Sequence, residues 1–219
     1  MPEPQLRIER IRHTDSGFAD AKRWEYEVFG RENTYTTAAD DEAGEMLQYR
    51  RWEQSSEFYV GFGVESTGDP VAVLRALRWD SRLGLDSFST ISDTRAFPDP
   101  AGGYENLLLP EWSRRFEQIR PDTVAELATQ AVRRTHRRAG VIDEVWARFA
   151  SSLAEEGVRY VTVALVVPLF EWYRLLFGAA ISRIGQLLPD YVGADSIPAV
   201  IDLHAIDTSD FLSKTKVTE

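Results

Sequence analysis

Residues 131–142 read AVRRTHRRAGVI, which puts four arginines and His136 into the six positions from Arg133 to Arg138. The rest of the chain is acidic: 25 Lys and Arg stand against 35 Asp and Glu over 219 residues, a formal net charge of −10. Upstream, Thr123 to Val132 has the composition of a strand. Downstream, Ile142, Val145, Trp146, Phe149 and Leu153 recur at helical spacing, and Gly157 follows as a C-terminal cap. A helix N-terminus leaves backbone N–H groups unpaired and carries the positive end of the helix dipole. A strand, a basic loop with Gly140 and a helix in that order is therefore a pocket for phosphate. The same charges also suit a solvated helix cap.

Beyond that helix, Tyr160 to Val167 is a nearly continuous apolar strand of the kind buried on both faces, and Pro168 opens a short helix through Phe177. Ala179 to Leu188 and Ala199 to Ala205 read as the final strands. Towards the N-terminus, Gln5 to Ile11 alternates as a first strand. Asp15 or Ser16 then caps a helix that carries Phe18, Ala21 and Val28 on one face, with Glu25 on that same face. Ser56 to Glu65 and Val71 to Trp79 are rich in aromatic and β-branched residues, and Thr67-Gly68-Asp69-Pro70 between them is turn chemistry, which predicts an antiparallel hairpin. The stretches 30–45 and 92–104 read as loops. Without an internal repeat or linker, residues 1–219 read as a single α/β (α+β) domain, with a mixed, mostly antiparallel central sheet flanked by helices.

Composition narrows the function. A hydrophobic share of 43%, with six Trp, eight Tyr and eleven Phe, is enough for a substantial core. The absence of cysteine excludes disulfides, thiolate zinc sites and a cysteine nucleophile. The net negative charge argues against nucleic acid and anionic membrane as partners. The N-terminal MPEPQLRIERIR has charges where a signal peptide needs an apolar stretch, and the run from Tyr160 to Phe170 is far short of the ~20 residues of a membrane span. A cytoplasmic location is the expectation. His13, His136 and His204 are isolated, so no metal site is expected; there is no Gly-x-Ser-x-Gly elbow, and Gly61-Phe62-Gly63 lies inside a strand rather than at a strand-to-helix turn.

The Arg137-Arg138-Ala139-Gly140-Val141-Ile142 segment resembles the acyl-CoA pyrophosphate loop of the GNAT acyltransferase superfamily, with Ile142 where the last small residue would stand. Several further stretches resemble the autoinducer-synthase branch of that superfamily, the acyl-homoserine-lactone synthases and long-chain N-acyl amino acid synthases. Glu126-Leu127-Ala128-Thr129-Gln130-Ala131-Val132 is similar to their Glu-x-x-Arg-x-Ala-Val strand, with Thr129 in place of the arginine. Trp52-Glu53 with Phe58-Tyr59-Val60, and Val73-Leu74-Arg75, resemble the hairpin region. Glu25 to Phe29 resembles their Arg-x-x-Val-Phe helix, with glutamate for arginine, and Ile184-Gly185 with Tyr191-Val192-Gly193 and Pro198 resembles the late region of the N-acyl amino acid synthases.

The resemblance implies a GNAT fold and direct attack of an amine on a bound thioester. Such a reaction needs a base for the amine, stabilisation of the carbonyl oxygen and an acid for the leaving thiolate. Glu126 is then the candidate base, or else a strand-edge charge paired with an arginine; Tyr173 is the candidate acid, or else a core aromatic. Ala131, Val132, Arg133, Arg137, Arg138, Ala139, Gly140, Val141 and Ile142 would hold acyl-CoA. Glu25, Phe29, Trp52, Arg75 and Trp172 are the substrate-side candidates, and Glu25 and Arg75 would equally pair with each other. Trp24, Trp112 and Trp172 are candidates to line an acyl tunnel, and Leu107-Leu108-Leu109 with the aromatics of 104–118 point to a longer acyl chain.

The function so implied is transfer of an acyl group from acyl-CoA, or from an acyl carrier protein, to a small amine or amino acid. The alternatives are a short-chain acetyltransferase of a small amine or antibiotic, and a non-catalytic acyl-CoA-binding module. Because a carrier protein would have to dock through one basic patch on an acidic chain, acyl-CoA is the favoured donor. A monomer or homodimer is expected.

Overall fold

The computed structural model describes residues 6–63, 68–137 and 140–206. In chain order the regular elements are β1 Leu6–Arg12, α1 Phe18–Glu25, α2 Ala38–Ala43, β2 Ser56–Gly63, β3 Pro70–Leu77, α3 Ser89–Arg95, β4 Phe97–Pro98, β5 Tyr104–Glu105, α4 Pro110–Gln118, β6 Val124–Val132, α5 Val141–Glu155, β7 Tyr160–Val166, α6 Val167–Phe177, β8 Ile181–Arg183, β9 Leu188–Tyr191 and β10 Ala194–Asp202. They divide into two compact units, Met1–Leu77 with Ala128–Ser152, and Arg78–Leu127 with Leu153–Glu219.

In the first unit the strand order is β1-β2-β3-β6. β1 runs antiparallel to β2 from Leu6↔Gly63 to Arg12↔Glu57, and β2 runs antiparallel to β3 from Ser56↔Leu77, with a register shift between Gly61 and Phe62. β2 and β3 are almost wholly buried along their length, which is why SEFYVGFG and PVAVLRAL carry apolar residues in continuous runs rather than in alternation. Phe18, Ala21 and Val28 pack with Phe58, Phe62 and Val73, and Trp24 and Phe29 lie at the edge of that cluster. Phe149 of α5 meets the Tyr59 ring edge-on at 5.4 Å.

In the second unit the order is β6-β7-β10-β8, with β9 on β10. Val124–Leu127 pairs parallel with Tyr160–Val163 of β7, the arrangement that a helical crossover such as α5 permits. β7 then pairs antiparallel with β10, and β10 with β8 and β9. Phe88, Ile91, Leu108, Trp112, Phe116 and Ile184 build its core with Val124, Tyr160 and Val200. Among the described residues no helix is long and apolar enough to cross a membrane.

This is the mixed, mostly antiparallel α/β architecture expected from the sequence, with the hairpin, α5, β7 and α6 where the patterns put them. Other boundaries differ. Neither Asp15 nor Ser16 caps α1: the Asp15 carboxylate accepts the Arg12 N–H at 2.8 Å in the turn after β1, so Gly17 stands at the N-cap without a side-chain bond. The stretch 30–45 contains α2, started by a capping box in which the Thr37 hydroxyl accepts the Asp40 N–H and the Asp40 carboxylate accepts the Thr37 N–H. The stretch 92–104 begins inside α3, and within 104–118 Pro110–Gln118 forms α4, whose Trp112 and Phe116 are one turn apart and buried. The segment 179–188 holds only the short β8, while Leu188 starts β9; the last strand runs Ala194–Asp202, with Leu203–Ala205 a 3₁₀ turn. Gln5, Glu65 and Thr67 lie outside the described residues.

Candidate active site

The basic segment belongs to the first unit. At the end of β6 the Arg133 N–H donates to the Val71 carbonyl at 2.8 Å, and a 3₁₀ turn over Arg134–His136 leads towards Gly140, whose φ of +67° favours glycine. Arg138 and Ala139 lie outside the described residues. The remaining arginines are engaged by the helical run that extends α1. After Glu25 that run widens into a π turn, Tyr26–Arg31, in which the Glu32 N–H reaches back five residues to the Glu27 carbonyl. Arg133 donates to the Pro70 carbonyl at 2.6 Å and lies 3.3 Å from Glu27 and 3.6 Å from Glu32. The Arg134 N–H donates to the Glu32 carboxylate at 2.9 Å, and its guanidinium to the Glu32 carbonyl. Arg137 donates to the Asn33 side-chain oxygen at 2.9 Å and to the Val132 carbonyl at 3.3 Å.

Among the described loop arginines, the guanidinium of Arg133 thus meets carboxylates, whereas those of Arg134 and Arg137 donate to neutral oxygens. The first turn of α5 adds two acidic residues, Asp143 and Glu144; Glu144 accepts the Leu6 N–H at 3.2 Å, and burial, with Glu144 beside it, pushes the Asp143 carboxyl up. Ala131 and Val141 are buried, while Val132 and Ile142 are half-buried.

Also in the first unit, Glu25 and Arg75 form an ion pair of 2.9 Å. The Thr129 hydroxyl donates to the other Glu25 oxygen at 2.6 Å. The Arg75 guanidinium lies between two rings, 4.6 Å from the Tyr49 centroid and 4.7 Å from that of Phe58, and the Tyr49 hydroxyl donates to the Ala128 carbonyl at 3.2 Å. Burial pushes the Glu25 carboxyl up, and Arg75 and Thr129 act in the opposite direction. Of the other substrate-side residues, Trp52 is buried beside Tyr49, with ring centroids 6.3 Å apart. Phe29, at the edge of the first unit's core, also packs against Tyr35, 5.3 Å away. The pairing alternative for Glu25 is thus the arrangement present, and the two departures from the synthase motifs, Glu25 and Thr129, are in contact.

In the second unit, Glu126 of β6 is 1% exposed. Its carboxyl receives the Ser89 hydroxyl at one oxygen and the Thr90 N–H at 3.2 and 3.0 Å from its two oxygens, so it caps the start of α3. Burial pushes it up to about 8, with the hydrogen bonds from Ser89 and Thr90 opposing and the charge of Asp93 adding to the rise. The arginine partner of the alternative reading is replaced by these two α3 donors. Tyr173 is 3% exposed, between the rings of Trp172 at 5.3 Å and Phe177 at 5.2 Å. Trp172 is 42% exposed.

Trp112 and Leu108, read as lining for an acyl chain, are part of the second unit's core, and Trp24 packs on Phe62 in the first unit. Sequence reasoning missed Ser89, Thr90 and Tyr49. Ser89 and Thr90 open α3, and nothing local linked them to Glu126, which lies 37 residues beyond Ser89.

No protein-family model matches the chain, and no curated protein sequence does. Solved structures do. The CoA-dependent acyl-homoserine lactone synthase BjaI, solved with SAM and isopentyl-CoA, superimposes with a TM-score of 0.59 at 11% identity, over 98% of this chain and 92% of its own. The AHL synthase LasI gives 0.59 at 15% identity over 91% of each chain. FeeM, an N-acyl amino acid synthase from uncultured soil microbes, gives 0.56 at 14% identity over 91% of this chain and 93% of its own. The chain therefore has a GNAT-type fold, the one that it shares with these acyl-homoserine lactone and N-acyl amino acid synthases.

Proposed function

We propose that the protein is a single-domain N-acyltransferase that moves an acyl group from acyl-CoA to a small amine or amino acid. The observation that carries this reading is Glu126: a buried carboxyl on β6 whose proton affinity is tuned to about 8 by burial. The fold supports it, as does the donor in the BjaI structure. In the reaction the amine nitrogen attacks the thioester carbonyl carbon and gives its proton to ionised Glu126. The C–S bond then breaks, and the departing thiolate takes a proton from Tyr173. With a midpoint of about 8, roughly a tenth of Glu126 is ionised at pH 7, so turnover rises with pH towards that midpoint. Arg137 and the backbone from Gly140 to Ile142 are the donor-binding elements in this reading.

The test is thiol release from acetyl-, octanoyl- and palmitoyl-CoA in the presence of mixed amino acids and amines. Amine-dependent release with one chain length preferred supports the proposal and separates a synthase from an acetyltransferase. One observation favours a second reading, an acyl-CoA-binding module without turnover: both Glu126 oxygens already accept hydrogen bonds from α3. Thermal stabilisation by acyl-CoA without thiol release is the result that would replace the first reading by the second.

A further inference from the structure

β1 stands at the end of the strand order and pairs on one side only, with β2. In an antiparallel strand successive residues turn their N–H and C=O alternately towards the partner and away from it. The hydrogen bonds at the two ends of β1 fix which residues turn away. The Leu6 N–H donates to the Glu144 carboxylate at 3.2 Å and the Arg12 N–H to the Asp15 carboxylate at 2.8 Å, so the even-numbered residues face outward. The Arg12 carbonyl is taken as well, by the Asp15 N–H at 2.9 Å. The register with β2 runs unbroken from Leu6 to Arg12, which carries the alternation through the strand. Half-buried Ile8 therefore directs its N–H and C=O off the sheet, and neither is bonded to a described residue. An open edge of this kind is a template for another strand.

The charges beside Ile8 select the strand that fits. Arg7 and Glu9 flank it with side chains 60% and 41% exposed, and they pair with each other along one face of the strand. An antiparallel neighbour must set outward residues opposite outward residues, so a second β1 can dock about a two-fold axis through one residue or the next. Centred on Ile8, the axis sets Arg7 of each copy opposite Glu9 of the other, and the four charges alternate. Centred on Arg7 or on Glu9, it sets arginine on arginine or glutamate on glutamate, and like charges directly opposite are destabilising. We propose that β1 is a dimerisation edge: two copies of the chain join antiparallel through it. The Ile8 N–H of each copy donates to the Ile8 carbonyl of the other, with an Arg7–Glu9 pair on either side. The bonds that close the strand's two ends confine the contact to its middle, so the dimer is small in area, weak and reversible. It does not depend on the reaction the protein catalyses.

The experiment is sedimentation of the full chain between about 1 and about 200 μM, a range suited to a small interface, with amide exchange read by NMR at the two extremes. The dimer fraction should rise with concentration. The Ile8 amide should exchange at least about threefold more slowly at the high end, while the Leu6 amide, already bonded to Glu144, keeps its rate. Arg7→Glu and Glu9→Arg should each weaken association about tenfold, because each puts like charges opposite one another twice. The double variant Arg7→Glu/Glu9→Arg restores the alternation and should bring association back to within about twofold of the parent. A chain that stays monomeric throughout would overturn the proposal. So would a dimer indifferent to the single substitutions, or one that the double substitution does not restore in a protein melting like the parent. An Ile8 amide whose exchange ignores concentration would overturn it in the parent alone, without recourse to any variant.

Discussion

Arg75 and Glu25 meet at 2.9 Å with side chains 2% and 0% exposed, and the Thr129 hydroxyl closes the arrangement from the other side of the carboxylate. The two partners do not respond alike to losing each other. Guanidinium cannot give up its proton, whereas a buried carboxyl escapes its charge by taking one up. Glu25→Gln is therefore expected to cost about 3–5 kcal/mol, as an uncompensated buried cation does, and Arg75→Met less. In a double-mutant cycle by denaturant unfolding, the double variant should be more stable than Glu25→Gln alone. Additive losses would mean that the pair contributes nothing as a pair.

The acidic partners of the basic loop compete with any phosphate for the same arginines. Glu32→Gln should loosen the Arg133 guanidinium and tighten acyl-CoA binding by about threefold, and Arg137→Ala should weaken it by about the same factor. Isothermal titration at low and high salt checks both, since each difference should shrink as salt screens the contact. Weaker binding in Glu32→Gln would show that Glu32 organises the loop for the donor rather than occupying it.

Glu126 makes folding pH-dependent in a definite direction. Its folded-state midpoint, about 8, lies above the ordinary 4.5. The stability it contributes is complete below about 4.5 and is lost as the pH rises through about 8. Glu126→Gln, which carries no titrating proton, should lose less stability than the parent between pH 5 and 8.5, at about 2–4 °C of Tm per kcal/mol. Parallel Tm curves for the two proteins would place the Glu126 midpoint near that of a free carboxyl.

Gly185 sits where no side chain fits. A Cβ there would lie 2.6 Å from Thr94 Cγ2, 2.8 Å from Pro198 Cγ and 3.0 Å from the Leu107 carbonyl oxygen. Gly185→Ala is expected to destabilise the protein by about 1–3 kcal/mol, read from the urea midpoint, through overpacking of a region that also carries the Leu108↔Gly185 bridge. A neutral effect would show that the loop after β8 yields.

Legibility in the sequence followed the range of the interactions. The β2–β3 hairpin was readable because Gly68-Asp69-Pro70 is turn chemistry between two β-rich runs, and α5 because its apolar residues recur at helical spacing. Two missed helices also carried local signals: the Thr37/Asp40 capping box for α2, and Pro110 with Trp112 and Phe116 one turn apart for α4. α3 is different. STISDTR has little apolar periodicity, and its first residues bond to Glu126, a partner that no window of sequence contains. The same holds for the candidate site. Glu126 and Arg75 stood out by resemblance, but Glu25 and Thr129 are 104 residues apart.

The π turn at Tyr26–Arg31 sets the angular phase between two jobs done by one helical run. Before it, Glu25 faces Arg75 and Thr129; after it, Glu32 and Asn33 face the arginines of the basic loop. An α-helix turns by about 100° per residue, so deleting one residue within that turn would swing Glu32 and Asn33 away while leaving Glu25 seated. A single-codon deletion there would thus uncouple the loop from the buried pair without changing any residue in either, so the turn sets how tightly the loop is held independently of the pair.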